Sequence, residues 1–270
     1  MTVIDPAKQK TELTREAERS LAPAVQRAIR VLALLETAPQ RHFGITEIAR
    51  RLEIPKSTTL NICIELVNGH LLRRSLDGYQ LGRKLIQLGS AYVSSVDLVR
   101  EFYEVCRSAP QDLNAMIQLG VLDDELNVVF LARQDCNSGL RLGLRAEIGR
   151  RVPANCSGTG KALLAALSEE VLDARLTGLR SLPTLTDRSI SDPAELRRQI
   201  VSIRQTGYAS EREEALSGVA CLARAFRTTY RDNGILAMSI TAREHMVTTD
   251  LSEIMRRTLF DLTYQLETRL

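Results

Sequence analysis

Residues 45–82 constrain the fold of this 270-residue chain more than any other stretch. Apolar residues recur at i, i+3, i+4 and i+7 over residues 45–52, which predicts a short helix with one buried face. Pro55 ends this pattern and suits the first turn of a second helix. Asp77-Gly78 then separates two strand-like segments, a strong signal for a β-hairpin. Two helices around a tight turn, followed by a hairpin, predict a winged helix-turn-helix, a DNA-binding module.

The second helix, which starts at Lys56, is predicted to have a buried face and an exposed face. Leu60, Cys63, Ile64 and Val67 keep helical spacing and are expected to face inward. The opposite face is expected to carry Thr58, Asn61, Ile62 and Glu65. Since such a helix enters the major groove with its N-terminal turn at the base edges, we predict a set of DNA-binding residues here and on the hairpin. They are Arg50, Lys56, Ser57, Thr58, Thr59, Asn61, Ile62, Arg73 and Arg74.

The residue types suggest how each part of this set contacts DNA. Ser57 or Thr58 can donate hydrogen bonds to phosphates or bases, and the helix N-terminus favours phosphate. Asn61 suits bidentate pairing with adenine. The arginines of the first helix and of the hairpin are interpreted as phosphate contacts. The alternatives are a solvated basic surface and a winged-helix domain that binds only protein.

The distribution of charge favours DNA as the partner. Residues 1–85 hold 14 Lys and Arg against 9 Asp and Glu, a net charge of +5, whereas residues 86–270 hold 22 against 24, a net charge of −2. The positive charge is concentrated where the helix-turn-helix is predicted, as neutralisation of phosphates requires.

The cysteine and histidine content argues against several other protein classes. Five cysteines, without a C-x-x-C pair, indicate neither a disulfide framework nor a zinc site. Three scattered histidines do not form a metal-binding pattern. No apolar run reaches the length of a membrane helix, and the N-terminus lacks a signal-peptide core. We therefore expect a cytoplasmic protein with no metal and no cofactor.

The rest of the chain predicts an α+β domain with an antiparallel sheet flanked by helices. Strands are expected at residues 113–121, 127–133, 139–145, 219–228 and 234–241. Helices are expected at residues 83–95, 98–108, 157–167, 193–205 and 250–269. The stripe of Leu85, Leu88 and Tyr92 on the first of these helices is available to pair with another copy of the chain.

An enzymatic role for this second domain has weak support in the sequence. Gly158-Thr159-Gly160-Lys161 resembles the end of a phosphate-binding loop, but Asn155 and Ala162 replace the required Gly and Ser/Thr. Cys156 or Cys221 could serve as a nucleophile, yet neither has a base nearby in the sequence. Three carboxylates are interpreted as a solvated acidic turn rather than as catalytic groups; they are Glu211, Glu213 and Glu214. A metabolite-processing cysteine enzyme with an appended DNA-binding domain remains the alternative function.

Several motifs in the same order resemble the IclR-type transcriptional regulators of bacteria over residues 22–270. The N-terminal motifs are AVQRAIRVLALLE, ITEIARRLEIPKSTT and DGYQLGRKLIQLGSAY. The C-terminal motifs are GLRLGLRAEIGRRVPANCSGTGKALLAAL, LTDRSISDPAELRRQIVSIRQTGYASEREEALSGVACLA and GILAMSIT. The resemblance implies a winged helix-turn-helix, a linker helix that helps dimerisation and a GAF-like effector-binding domain. Such proteins bind promoter operators as dimers, often as dimers of dimers, and repress or activate in response to a small organic acid or aromatic metabolite.

The resemblance also implies domain bounds and an effector site. Residues 1–21 would form an N-terminal arm, 22–82 the DNA-binding domain, 83–97 the linker helix, and 98–270 the effector-binding and oligomerisation domain. The effector site carried over from the family consists of Leu144, Val152, Gly158, Thr159, Glu211, Val219, Cys221, Ser239 and Thr241. This chain departs from the family pattern at Asn61, where an Arg is common, and at Arg212, which interrupts an acidic run. Arg212 could pair with Glu211 or favour an anionic ligand, and a surface ion pair is the preferred interpretation. A regulator without a ligand, whose second domain serves only assembly, is a third possibility.

Overall fold

The computed structural model describes residues 22–94, 97–110, 112–137, 148–228 and 234–270. The chain divides into two compact units, here called the N-terminal unit, which ends at Tyr92, and the C-terminal unit, which begins at Val93.

The N-terminal unit is the predicted winged helix-turn-helix. Its elements are α1 (Pro23–Glu36), α2 (Ile45–Leu52), α3 (Lys56–Asn68), β1 (Leu72–Ser75), β2 (Gly78–Leu81) and α4 (Lys84–Ser94). β1 and β2 pair antiparallel, and Gly78 takes a φ of 133° at the turn that Asp77-Gly78 predicts. Glu53 ends α2 in a left-handed conformation, and Pro55 directly precedes α3. The core contains Val31, Leu35, Phe43, Ile48, Ile62, Cys63, Leu66, Leu72 and Tyr79.

The C-terminal unit is a six-stranded antiparallel sheet with helices on both faces. Its helices are α5 (Asp97–Cys106), α6 (Gly158–Ala165), α7 (Glu169–Leu176), α8 (Pro193–Thr206) and α9 (Thr249–Glu267). Its strands are β3 (Ala115–Leu122), β4 (Asn127–Cys136), β5 (Arg151–Pro153), β6 (Ala209–Arg212), β7 (Val219–Arg227) and β8 (Ile235–Arg243). The strand order is β5-β4-β3-β8-β7-β6. The predicted α+β fold class is confirmed.

Alternation along the strands separates two hydrophobic cores. In β8, Leu236, Met238 and Ile240 face one core, which also contains residues of α5 and α9. Ala237 faces the other core, with α6, α7 and α8. Residues 239 and 241 have the same parity as Ala237, so both lie on the α6 side of the sheet.

Most of the predicted helices and strands are present in the structure. α7, β5 and β6 are short and were not predicted from the sequence. The strand predicted at residues 139–145 lies outside the described residues. Within the described ranges, no helix is long and apolar enough to cross a membrane.

Candidate functional site

The N-terminal turn of α3 is exposed, as required of a helix that reads DNA. Lys56 and Ser57 are exposed and Thr58 is half-buried. Asn61 is also exposed, one turn after Ser57 on the same side of the helix. The backbone N–H groups of this first turn lack partners within the helix, so they are available to phosphate.

Two of the predicted DNA-binding residues, Thr59 and Ile62, are buried, so the prediction was wrong for them. Ile62 packs in the core of the N-terminal unit, and Thr59 is fully buried. The Thr59 hydroxyl donates to the carbonyl oxygen of Pro55 at 3.1 Å, which allows a polar side chain on the inward face. The predicted inward residues Leu60 and Ile64 are exposed instead. The burial of Thr59 rotates the buried face by one residue, which is about 100° around the helix.

The predicted arginines lie on exposed surfaces of the N-terminal unit. Arg73 and Arg74 are exposed on β1, and the Arg74 guanidinium lies 5.8 Å from the ring centroid of Tyr79. Arg50 is exposed near the end of α2. Its neighbour Arg51 is held by Glu47 at 2.9 Å. The N-terminal unit therefore presents cationic side chains on α2, on α3 and on the β1–β2 hairpin, which is called the wing below.

The C-terminal unit contains a cavity of about 60 Å³ between the sheet and α6. It is bounded by β3, β4, β5, the N-terminal end of α6, β6, β7, β8 and two loops. The residues that line it are Gln118, Phe130, Val152, Ser157, Thr159, Leu185, Glu211, Ala215, Leu216, Val219, Cys221 and Thr241.

Strand register places residues that are distant in sequence on the floor of this cavity. Glu211 pairs with Cys221, and Cys221 pairs with Thr241, so the three form one row across β6, β7 and β8. The next row on the same face contains Ser239 and Gln118, which are paired between β8 and β3. The Thr241 hydroxyl donates to Gln118 Oε1 at 3.4 Å, which links the two rows.

The structure brings together most of the predicted effector site. Six of the nine residues line the cavity: Val152, Thr159, Glu211, Val219, Cys221 and Thr241. Gly158 packs against Cys221, since a Cβ at this position would lie 3.2 Å from its sulfur. Ser239 is fully buried in the adjacent row and does not line the cavity. Leu144 lies outside the described residues.

The N-terminal end of α6 lies at the wall of the cavity. Ser157 caps this helix, because its hydroxyl oxygen accepts a hydrogen bond from the Gly160 N–H at 3.0 Å. Ser157 and Thr159 both line the cavity. The partial positive charge of a helix N-terminus favours an anion in this position.

Glu211 and Glu214 are buried, so the prediction of a solvated acidic turn was wrong for these two residues. Glu214 contacts the fully buried Lys161, with 2.5 Å between its Oε1 and Nζ. Lys161 Nζ also donates to Gln199 Oε1 at 2.9 Å. The Glu214 N–H in turn donates to the Glu211 carboxylate at 2.9 Å. A buried ion pair therefore holds the backbone that supports the carboxyl group in the cavity wall.

Burial governs the titration of this carboxyl group. The pKa of Glu211 is raised to about 7, mainly by desolvation and in smaller part by the neighbouring Glu214 carboxylate. Hydrogen bonds from backbone N–H groups and the charge of Lys161 oppose the shift. Glu211 can thus be protonated near neutral pH, and in that state it can donate a hydrogen bond to a ligand.

Sequence reasoning missed several residues of the cavity wall. Gln118 is a buried polar residue within an apolar strand segment, and its Nε2 has no hydrogen-bond partner among the described residues. A glutamine within the run Met116-Ile117-Gln118-Leu119 was the available signal. Phe130, Leu185 and Leu216 gave no signal that separates them from ordinary core residues. Arg212 pairs with Glu244 at 2.9 Å on the surface, as predicted.

The cysteines lack the environment of a catalytic nucleophile. Burial raises the pKa of Cys221 to about 12, and it raises the pKa of Cys156 as well. Both thiols are therefore protonated at neutral pH, whereas the thiolate is the reactive form. Within the described ranges, no cluster of three or more His, Cys, Asp or Glu is placed to bind a metal.

Comparison with known proteins gives one consistent result. A family model described as bacterial transcriptional regulator IclR C-terminal matches residues 90–265. A second model, the IclR helix-turn-helix domain, matches residues 24–75. The transcriptional repressor IclR of Escherichia coli is 27% identical over 244 residues, which cover 87% of this chain and 88% of that protein. The HTH-type transcriptional repressor AllR of Klebsiella pneumoniae is 28% identical over 235 residues, or 85% of this chain and 83% of that protein.

Solved structures share the fold. The IclR transcriptional regulator from Alicyclobacillus acidocaldarius has a TM-score of 0.76 at 23% identity and covers 92% of this chain and 99% of that chain. An IclR homolog from Microbacterium hydrocarbonoxydans, complexed with 4-hydroxybenzoate, has a TM-score of 0.72 at 24% identity and covers 91% of this chain and 99% of that chain.

Proposed function

The chain belongs to the IclR family of bacterial transcriptional regulators, and we propose that it binds promoter operators through α3 and the wing under the control of a small carboxylic acid. The members of this family are ligand-responsive DNA-binding proteins. The proposal of a ligand is supported by the cavity whose floor is formed by Glu211, Cys221 and Thr241. Residues 22–82 would bind DNA, 83–97 would form the linker, and 98–270 would bind the effector and oligomerise. The protein acts on DNA, so we place it in the cytoplasm.

The chemistry of the cavity wall supports a carboxylate ligand. The α6 N-terminus favours negative charge. Gln118 offers an unpaired N–H donor, and protonated Glu211 offers an O–H donor. Phe130, Val152 and Val219 supply an apolar wall for the rest of the molecule. The acid would be held at its carboxylate end and packed at its apolar end.

The size of the cavity favours a compact acid over an aromatic one. A volume of about 60 Å³ corresponds to a few water-sized spaces. We therefore expect aliphatic acids with roughly two to five carbons to raise the midpoint of thermal unfolding, because a ligand that binds only the folded state stabilises it. At pH 6, a panel of such acids is compared with 4-hydroxybenzoate, the ligand of a relative. Stabilisation by the aromatic acid alone would contradict this size limit, and no stabilisation by any acid would contradict the ligand class.

Effector binding would be coupled to DNA binding through a shift in the populations of two conformations of the protein. Binding in the cavity would favour one arrangement of the linker helices, and hence one spacing of two recognition helices in a dimer. Ile86 and Leu88 on α4 are exposed apolar residues, which supports pairing of this helix with a second copy of the chain. A dimer of dimers is compatible with the same arrangement.

The wing arginines are expected to contribute charge rather than sequence preference. Arg73→Ala or Arg74→Ala should weaken binding to all duplexes and lower the slope of log affinity against log salt by about one. The measurement is a salt titration by fluorescence anisotropy. Arg257→Ala, which removes the same charge from an exposed site on α9, serves as the control and should leave the slope unchanged. If both wing variants kept the slope of the wild-type protein, the wing would not be part of the DNA interface.

A further inference from the structure

Two aliphatic side chains are exposed on the outward face of α3, where most helices of a small domain carry polar residues. Leu60 is 37% exposed and Ile64 is 41% exposed. They are one turn apart, so they lie on the same side of the helix. The inward face already has its own apolar residues, Ile62, Cys63 and Leu66. Leu60 and Ile64 are therefore available to a partner outside the domain.

The surroundings of these two side chains indicate what that partner is. Lys56 lies one turn before Leu60 on the same line, and Asn61 and Ser57 lie on the same face. Arg50 and the wing arginines provide further positive charge on the same unit. A partner that complements both the cationic and the aliphatic side chains must be a polyanion. It must also carry apolar groups on the surface that contacts α3. In the DNA major groove, the apolar group on the base edges is the C5-methyl of thymine.

We propose that Leu60 and Ile64 contact thymine C5-methyl groups in the major groove and thereby set a preference for A·T pairs under α3. The inference rests on the proposed function, since it assumes that α3 enters the groove. Asn61 fits the same sequence preference, because its amide can pair with N6 and N7 of adenine. The two aliphatic residues are about 6 Å apart along the helix axis, at a rise of about 1.5 Å per residue. Thymines about two base steps apart, at about 3.4 Å per step, would match this separation.

Replacement of thymine by uracil tests the inference, since uracil lacks only the methyl group. The best-bound duplex is first obtained by repeated selection from a random-sequence library with the wild-type protein. Each dT in this duplex is then replaced singly by dU, and binding is measured by anisotropy. We expect one or two positions at which dU lowers affinity about fourfold, the factor that corresponds to about 0.8 kcal/mol for one buried methyl group.

Alanine variants of Leu60 and Ile64 show which of the two residues contacts each thymine at which dU lowers affinity. Leu60→Ala should lose the penalty for dU at one thymine, and Ile64→Ala should lose it at another. Val201→Ala, which truncates an exposed aliphatic side chain on α8, is the matched control and should keep both penalties. Thermal unfolding of each variant confirms that it remains folded.

The outcomes separate this inference from the proposed function. The inference is overturned if the protein binds a specific sequence but no dU substitution lowers its affinity. It is also overturned if both Ala variants keep the dU penalties of the wild-type protein. In either case the proposed function as a DNA-binding regulator stands. A change of oligomeric state in Leu60→Ala or Ile64→Ala, with sensitivity to dU unchanged, shows that the face binds protein and also overturns it. Failure of the library to yield any preferred sequence overturns the proposed function and the inference together.

Discussion

Lys161→Met is expected to lower the free energy of unfolding of the C-terminal unit by about 3–4 kcal/mol at pH 7. Lys161 is fully buried, and its ammonium group contacts the Glu214 carboxylate at 2.5 Å. Removal of one partner leaves the other charge buried without compensation, and protonation of the remaining carboxylate at pH 7 costs a similar amount. Urea unfolding followed by circular dichroism measures the change.

Two further variants show whether the ion pair is the cause. The double variant Lys161→Met/Glu214→Gln should recover part of the loss, because it removes both charges. Arg107→Met breaks an exposed ion pair with Glu104 and should leave the unfolding midpoint nearly unchanged. A single Lys161→Met variant as stable as the Arg107→Met control would contradict the role assigned to the buried pair.

Effector affinity is expected to fall about tenfold between pH 6 and pH 8. The pKa of Glu211 is about 7 in the free protein, and a bound carboxylate next to it would raise this value further. Binding of an anion therefore requires uptake of a proton, so affinity is highest below pH 7 and decreases as Glu211 ionises above it. The charged groups that act on this carboxyl are Glu214 and Lys161, and backbone hydrogen bonds from Glu214 and Ala215 lower its pKa. Calorimetric titration with the best acid of the panel, repeated at several pH values, measures the effect.

Substitution at Glu211 isolates the group that titrates. Glu211→Gln keeps a hydrogen-bond donor at the same position and removes the titration, so its pH profile should be flat over the same interval. Glu244→Gln changes an exposed carboxylate that pairs with Arg212 and should keep the wild-type profile. A flat profile in the wild-type protein, or an equal slope in Glu211→Gln, would exclude a proton coupled to ligand binding at this residue.

The sequence predicted the fold well because each long element has a regular apolar pattern and clear boundaries. Asp77-Gly78 marked the hairpin, and Pro55 marked the start of the second helix of the motif. The orientation of α3 was more difficult, since Leu60, Ile62, Cys63 and Ile64 allow two overlapping stripes. The true stripe depends on Thr59, whose hydroxyl bonds to a backbone carbonyl and so tolerates burial. A threonine gives no such information in a hydrophobicity pattern.

The effector site was predictable only in part. The resemblance to the IclR family supplied residues such as Glu211 and Cys221, and strand register explains why they meet. The pairing of Lys161 with Glu214 joins residues 53 positions apart, and no local pattern predicts it. The pKa of Glu211 likewise depends on burial beneath α6 and on two neighbouring charges, which are properties of the folded chain.

Operator binding under effector control is tested most directly with the purified protein and the intergenic duplex beside its own gene, titrated against salt from about 50 to 200 mM with and without a small carboxylic acid. Regulation of this kind predicts that affinity for this duplex exceeds affinity for a scrambled duplex by about 10³-fold or more. It also predicts that at least one acid shifts the specific affinity by roughly 5- to 150-fold. Equal affinity for both duplexes, or no shift with any acid of the panel, would contradict it.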